Sequence, residues 1–156
     1  MNFITKLLLI IFFNFIALKV YTIDVPKDLI VKIVKESENE DNIKSKDLDL
    51  ISVKYSGWIF DRNAPTNNYC DAKGKMFDSN ILDTFHHTEA FQFVLGKGIV
   101  IKGWDLGLQD MRINEQRCLV IPPHLAYGNR RIGNIIKPNS TLIFEVKLLK
   151  ILKVQK

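Results

Sequence analysis

The segment from Leu95 to Tyr127 constrains the fold of this chain more than any other stretch. Four of its apolar residues recur at spacings of three and four: Ile101, Trp104, Leu108 and Met111. Such a stripe predicts one buried face of a three-turn helix, and Gly107 would let that helix lie close to its neighbour. The strand that follows must end at Pro122, because proline cannot donate to a sheet ladder. We therefore expect a short helix next to a strand.

Strands are predicted on both sides of this segment. Four further stretches have the alternation or the β-branched composition of strands: 29–34, 51–56, 91–93 and 142–148. In the second of them, Ile51 and Val53 alternate with polar residues and place Tyr55 on the core face. Many strands with one short helix predict an α+β fold, in which an antiparallel sheet wraps around the helix.

Two polar stretches are predicted to be loops. Residues 35–47 have the composition of an exposed, mobile connection, and residues 61–75 contain the Asn, Pro and Gly residues typical of loops. Cys70 lies in the second loop and Cys118 on a strand. A disulfide between them would close a long loop, and two separate thiols, one exposed and one half-buried, are the open alternative.

Residues 1–22 differ in kind from the rest. A basic residue precedes the almost entirely apolar run from Leu7 to Ile16, as in a secretory signal peptide, and the run is short for a membrane span. We expect cleavage near Thr22, with an uncleaved anchor as the alternative, because Val20 and Thr22 are poor recognition residues. The expected location is the secretory pathway, in the endoplasmic reticulum lumen or outside the cell. The last four residues are not a usual retrieval signal.

Charge and composition argue against several partners. The formal net charge is +5, and loss of Lys6 and Lys19 with a signal peptide would lower it by two, to +3. The remaining Lys and Arg residues lack interleaved aromatics, which is typical of a solvated surface and not of a nucleic-acid interface. We therefore expect no nucleic-acid partner.

The histidines indicate neither a metal site nor a nucleophile. His86 and His87 are adjacent, so their side chains diverge, and no Cys, Asp or Glu lies at ligand spacing around them. Cys118 and His124 lack an orienting Asn or Asp. Asn139 begins an Asn-Ser-Thr sequon, which could accept a glycan in a secreted protein. We expect no metal and no cofactor.

Six short segments follow one another along the chain in a characteristic order. They are Tyr55-Ser56-Gly57, Phe77-Asp78-Ser79, Phe91-Gln92-Phe93, Gly103-Trp104-Asp105, Ile135-Ile136-Lys137-Pro138-Asn139 and Leu142-Ile143-Phe144. In this order they resemble the FKBP-type peptidyl-prolyl cis-trans isomerases over residues 29–151. The resemblance implies a half-barrel around one short helix, with the isomerase domain at residues 49–153 after an N-terminal strand and polar linker at residues 23–48.

The resemblance implies isomerase activity (EC 5.2.1.8) on proline-containing polypeptides, as a folding helper. A prolyl bond rotates over a barrier of roughly 18–20 kcal/mol because resonance keeps it planar. The planar amide is the more dipolar form, so a dry pocket with one or two hydrogen-bond donors favours the twisted transition state without proton transfer. The resemblance further implies that macrolides such as tacrolimus or rapamycin bind the pocket and that the chain is a monomer.

The resemblance also implies a role for each pocket residue. Trp104 would form the floor, Tyr127 would donate its hydroxyl to a bound carbonyl, and Asp78 would orient local hydrogen bonds. The walls would be Tyr55, Phe77, Phe91 and Phe144, the rim Val100 and Ile101, and one side Ile135 and Ile136. The Ile101 N–H would donate to a second carbonyl. The catalytic residues would be Tyr55, Asp78, Trp104, Tyr127 and Phe144, and the other six would bind substrate.

Departures from the family pattern lie in the loops. The stretches from Tyr55 to Phe77 and from Asp78 to Phe91 are longer than in compact members. The family often has an arginine that pairs with the acid, but no basic residue lies between Asp78 and His86. A non-catalytic module that binds peptides or proteins through the same pocket is therefore the main alternative, and a purely structural domain is a third.

Overall fold

A computed structural model describes residues 22–38 and 43–152. The strands are β1 Ile30–Lys35, β2 Leu50–Phe60, β3 Lys73–Ser79, β4 Phe91–Val94, β5 Gln116–Ile121 and β6 Leu142–Leu152. One helix, α1, spans Lys102–Gly107, and single 3-10 turns occur at Tyr69–Asp71, Asp83–Phe85 and Pro123–Leu125. None of the helices in these described ranges is long and apolar enough to cross a membrane. Except for Thr22, the expected signal peptide lies outside the described residues.

The strands form one antiparallel sheet in the order β1-β5-β6-β2-β3. The central strand β2 pairs with β6 along its length. On its other side, residues 50–53 pair with β4 and residues 56–60 pair with β3. The predicted α+β architecture, an antiparallel sheet with one short helix, is confirmed.

Helix α1 has six residues, so the prediction of three turns was wrong. The chain leaves the helix after Gly107, and Asp110 adopts a positive φ of 56°. The side chain of Arg117, on β5, donates to the carbonyls of Gly107, Gln109 and Asp110, which gives the end of the helix hydrogen-bond partners that a further turn would otherwise supply. Trp104, Leu108 and Met111 of the apolar stripe are nevertheless buried as expected, because the turn that follows α1 continues along the same core, and Ile101 is partly buried against it.

The main core lies between α1 and the inner face of the sheet. Its fully buried members include Ile51, Val53, Leu95, Leu108, Met111, Leu119, Ile121, Leu142 and Leu148. The helix approaches β5 closely at two glycines. A Cβ at Gly103 would lie 2.4 Å from Ile121 Cγ2, and one at Gly107 would lie 2.7 Å from Leu119 Cδ2. This close approach fixes the height of Trp104 above the sheet.

A second, smaller core covers the outer face of the sheet. Ala64 and Ala72, in the long connection between β2 and β3, are buried against Val120 and Ile143. The disulfide joins Cys70 to Cys118 with a Cα–Cα distance of 6.1 Å, so the alternative of two separate thiols is wrong. The loop predicted for residues 61–75 was also only partly right, since its last three residues begin β3 and its middle is packed down.

The segment before β2 is more ordered than its polar composition predicted. Ser45 is fully buried, and its hydroxyl donates to the carbonyl of Leu108 at 2.6 Å and accepts from the N–H of Met111 at 2.9 Å. The prediction of an exposed, mobile connection is therefore wrong around Ser45. Residues 39–42 lie outside the described part of the chain.

Candidate functional site

A cavity of about 510 Å³ opens at the N-terminal end of α1. Its lining brings together nine residues expected at the site: Tyr55, Phe77, Asp78, Phe91, Val100, Ile101, Trp104, Tyr127 and Phe144. The other two, Ile135 and Ile136, line an adjoining hollow of about 280 Å³, which shares Phe77, Asp78 and Tyr127 with the cavity. This pair therefore lies behind the shared wall and not on the main lining.

The floor of the cavity is a set of aromatic rings packed edge to face around Trp104. The Trp104 ring lies 5.1 Å from Tyr55 at 82° and 5.2 Å from Phe144 at 85°. Phe93 supports the indole from the core side at 5.7 Å. Trp104 is only 4% exposed, so its position is set by packing before any ligand arrives. Such edge-to-face contacts add to the free energy of simple burial.

Gly57 makes the wall above this floor possible. Phe77 and Phe144 meet edge to face at 5.5 Å and 87°. A Cβ at Gly57 would lie 2.7 Å from Phe77 Cζ and 2.8 Å from Phe144 Cε1. Any larger residue on β2 would push both rings out of the cavity wall.

A buried carboxylate ties the rim of the cavity to the floor. Asp105 is 3% exposed, and its two oxygens accept the N–H groups of Gly96 at 2.9 Å and Gly98 at 3.0 Å. Both glycines have positive φ, a conformation that other residues rarely adopt. The carbonyl of Ile101 accepts from the N–H groups of Trp104 and Asp105. Sequence reasoning gave Asp105 no role, although an acid at the start of a helix after two glycines was an available signal.

Two polar side chains of the cavity lining, Tyr55 and Asp78, are joined in a chain of contacts with a third side chain, His87. The Tyr55 hydroxyl donates to Asp78 Oδ2 at 2.6 Å, and Asp78 Oδ1 lies 2.8 Å from His87 Nε2. The first partner of Asp78 is therefore the hydroxyl of Tyr55. His87 was not foreseen as its second partner, because the enlarged loop before Phe91 brings this side chain back to β3.

Both tyrosines of the cavity have raised pKa values. Burial contributes most to the increase in the pKa of Tyr55, followed by the hydrogen bond to Asp78 and the charge of that carboxylate. Burial and the Asp78 charge also raise the pKa of Tyr127, and Arg130 opposes them. The two phenols are therefore protonated at physiological pH, and each can act as a hydrogen-bond donor.

Five further residues line the cavity without having been predicted: Gly98, Ile99, Lys102, Ala126 and Arg130. All lie within three positions of a residue that was predicted from the sequence, and this closeness along the chain was the only indication that they line the cavity. Ile99 is 62% exposed and Lys102 is also at the surface. The mouth of the cavity therefore combines an apolar edge with two positive charges, while its floor is aromatic.

Comparison with known proteins agrees with this geometry. Residues 41–149 match the model of the family described as FKBP-type peptidyl-prolyl cis-trans isomerase. The FK506-binding protein 1A of Neurospora crassa is 40% identical over 126 residues, which cover 81% of this chain and 92% of that protein. The FK506-binding protein 2 of Yarrowia lipolytica is 40% identical over 117 residues, covering 75% and 70% of the two chains. The FK506-binding protein 2B of Rhizopus delemar is 44% identical over 69% of this chain and 44% of its own length. The chain belongs to the family of FKBP-type peptidyl-prolyl cis-trans isomerases.

Proposed function

We propose that this chain accelerates rotation about Xaa-Pro bonds in protein substrates bound in the cavity above Trp104. The observation that carries the proposal is an aromatic floor, built from Trp104, Tyr55 and Phe144, that is packed in place and open to one side. A proline ring is compact and apolar, so it can lie on such a floor and bring its amide bond out of water. The planar amide loses more solvation than the twisted one, which lowers the barrier.

Two hydrogen bonds would hold the peptide during rotation. The Tyr127 hydroxyl would donate to one of the two carbonyls that flank the proline, and the Ile101 N–H would donate to the other. Ile101 is the N-cap of α1, and its carbonyl already accepts two N–H groups of the first turn, so the residue that carries this donor is held in place by the helix. Asp78 holds the Tyr55 hydroxyl and keeps it from competing for these carbonyls.

We further propose that tacrolimus and rapamycin bind in this cavity and that the protein acts as a monomer. The names of three relatives describe FK506 binding. A ligand that binds only the folded state at a free concentration of 100 times Kd stabilises a protein by about 2.7 kcal/mol. Tacrolimus should therefore raise the melting temperature, and sedimentation should give one species near the 18.0 kDa of the chain, or somewhat less after processing.

The protein is proposed to work in the secretory pathway. The disulfide between Cys70 and Cys118 supports this location, because such bonds persist mainly in oxidising compartments. The apolar segment from Leu7 to Ile16 gives a route into that pathway. Mass spectrometry of the protein recovered from secretory cells should give an N-terminus near Ile23. An N-terminus at Met1 in the cytosol would contradict this proposal.

A direct assay tests the isomerase function. Protein expressed from the full chain is added to an Xaa-Pro peptide, and the relaxation from cis to trans is followed after a solvent jump. We expect the relaxation rate to rise in proportion to protein concentration and tacrolimus to abolish the increase. If tacrolimus binds but the peptide relaxes no faster with protein than without it, the chain is a binding module and not an enzyme.

A further inference from the structure

We propose that His87 is a positioning residue of the isomerase site, and that its charge tunes turnover between pH 5 and pH 8. The inference rests on the isomerase function proposed above. It arises from one feature that the resemblance does not supply, which is a histidine in contact with the acid of the site.

The contact joins His87 to the polar side of the cavity through a single carboxylate. One oxygen of Asp78 accepts the Tyr55 hydroxyl at 2.6 Å, and the other lies 2.8 Å from His87 Nε2. The side chains of Asp78 and His87 are 35% and 47% exposed. Because both oxygens are engaged, the orientation of the carboxylate depends on its two partners together.

Two side chains next to Tyr55, those of Asn80 and Lys54, hold the segment of His87 in place. The side chain of Asn80 is fully buried. Its oxygen accepts the Tyr55 N–H at 2.7 Å, and its amide donates to the carbonyls of Val53 and Glu89 at 3.1 and 3.0 Å. The amine of Lys54 donates to the carbonyls of Asn80 and Thr88. Asn80 and Lys54 therefore hold the backbone of Thr88 and Glu89, directly after His87, which restrains the position of the segment that carries the imidazole.

Several other titratable or charged groups surround this pair. Tyr55 contacts Asp78 directly, and the charge of Asp78 also acts on Tyr127, which Arg130 opposes. Lys102 and Arg130 line the cavity, while Lys54 and Glu89 flank the His87 segment. Lys, Arg and Tyr are residue types that ordinarily keep one charge state between pH 5 and pH 8. Histidine is the residue type whose charge ordinarily changes within that range.

The protonation state of His87 determines how far the negative charge of Asp78 is offset. The imidazolium form of His87 donates a charge-assisted hydrogen bond to Asp78 and offsets its negative charge. When pH rises and the imidazole becomes neutral, the carboxylate is held less firmly and its charge faces the cavity, where it repels the carbonyl oxygens of a bound peptide. Turnover should therefore be higher at low pH and fall as pH rises. The interaction free energy of an exposed ion pair corresponds to a change in rate of about two- to fivefold.

The test is the pH profile of kcat/KM for the wild-type full chain and three variants. The assay is free of protease and uses an Xaa-Pro peptide without titratable groups, at pH 5.5, 6.5, 7.5 and 8.5. His87→Ala removes the contact, and His87→Arg supplies a charge that does not titrate. His86→Ala is the matched control, because His86 is the adjacent, exposed histidine, while the contact with Asp78 is made by His87.

Wild type and His86→Ala should lose about two- to fivefold in kcat/KM across the range. His87→Arg should stay flat near the low-pH wild-type rate, and His87→Ala should stay flat near the high-pH rate. If all four proteins share one profile, or if His87→Arg still falls like wild type, the inference is overturned while the isomerase function stands. If wild type shows no turnover at any pH, the proposed function fails and the inference fails with it.

Discussion

Tyr127 contributes one hydroxyl to a cavity whose floor is made of rings, so the hydroxyl can be tested without disturbing the packing. Tyr127→Phe keeps the ring and removes the proposed donor to a substrate carbonyl. A neutral hydrogen bond is worth about 1 kcal/mol, so kcat/KM should fall by about fivefold while the free energy of unfolding stays nearly unchanged. The solvent-jump assay together with urea unfolding measures both quantities.

The control for this change is Tyr69→Phe. Tyr69 packs on the outer core against Phe60 at 6.2 Å, far from the cavity lining, so its hydroxyl should not affect turnover. Equal loss in both variants, or full activity of Tyr127→Phe, would show that the Tyr127 hydroxyl does not hold the substrate.

Single residues were predicted well where they belong to a contiguous pattern. Trp104 and Tyr55 could be placed on the core side from spacing alone, and both line the cavity. His87 could not be placed, because its contact with Asp78 depends on the path of a loop. That path is set by the buried Asn80, and nothing in local composition reveals that two backbone segments meet at one amide.

The end of helix α1 depends on a side chain from another element. Arg117, on β5, is 8% exposed and pairs with Glu115, which is 2% exposed. Arg117→Met would remove the donors to three carbonyls and leave Glu115 buried without its cation. Breaking such a pair costs about 3–5 kcal/mol. Chemical denaturation should therefore show a loss of this size, with a lower midpoint and an unchanged slope.

Arg131→Met is the matched control, since Arg131 is exposed in the loop after Tyr127. Its stability should stay within about 0.5 kcal/mol of wild type. If Arg117→Met loses less than about 1 kcal/mol, which is the range of an exposed pair, then Arg117 does not support the helix end as its contacts indicate.

At the level of elements, strands were easier to predict than the helix or the connections. Alternation located β2 and β6 because it reports directly which face is buried. The helix was expected to be longer because its apolar stripe continues to Met111. It ends at Gly107 instead, where the carbonyl accepts a hydrogen bond from Arg117. Likewise, Ser45 is buried and forms hydrogen bonds with the turn after α1. These partners are more than sixty residues apart in the sequence, so the polar composition around Ser45 could not predict the contact.

The disulfide, which is expected to stabilise the fold, and the candidate site lie on opposite faces of the sheet. The cavity lies on the side of α1, whereas the disulfide joins the connection at Cys70 to β5 on the opposite face. The link spans 48 residues, and the chain-entropy model assigns such a loop about 4 kcal/mol. The double variant with Cys70→Ser and Cys118→Ser should therefore unfold at much lower urea concentration, while kcat/KM at low temperature stays close to wild type.

Reductant provides the control for this experiment. It should lower the stability of wild type toward that of the double variant and leave the variant itself unaffected. A variant that is folded by circular dichroism but has lost turnover would contradict the separation of the two faces. The disulfide and the outer core could not be derived from the sequence, because the long connection between β2 and β3 reads as a loop until its packing against Val120 and Ile143 is seen.

The clamp of Asp105 on Gly96 and Gly98 has a consequence for the thermodynamics of substrate capture. One buried carboxylate restrains the rim loop and sits next to Trp104, so rim and floor are ordered before any peptide arrives. A flexible rim would lose conformational entropy on binding, typically about 0.5–1.5 kcal/mol for each immobilised side chain. In this protein that entropy is lost during folding. Binding and release of a peptide should therefore need no slow closing step of this rim.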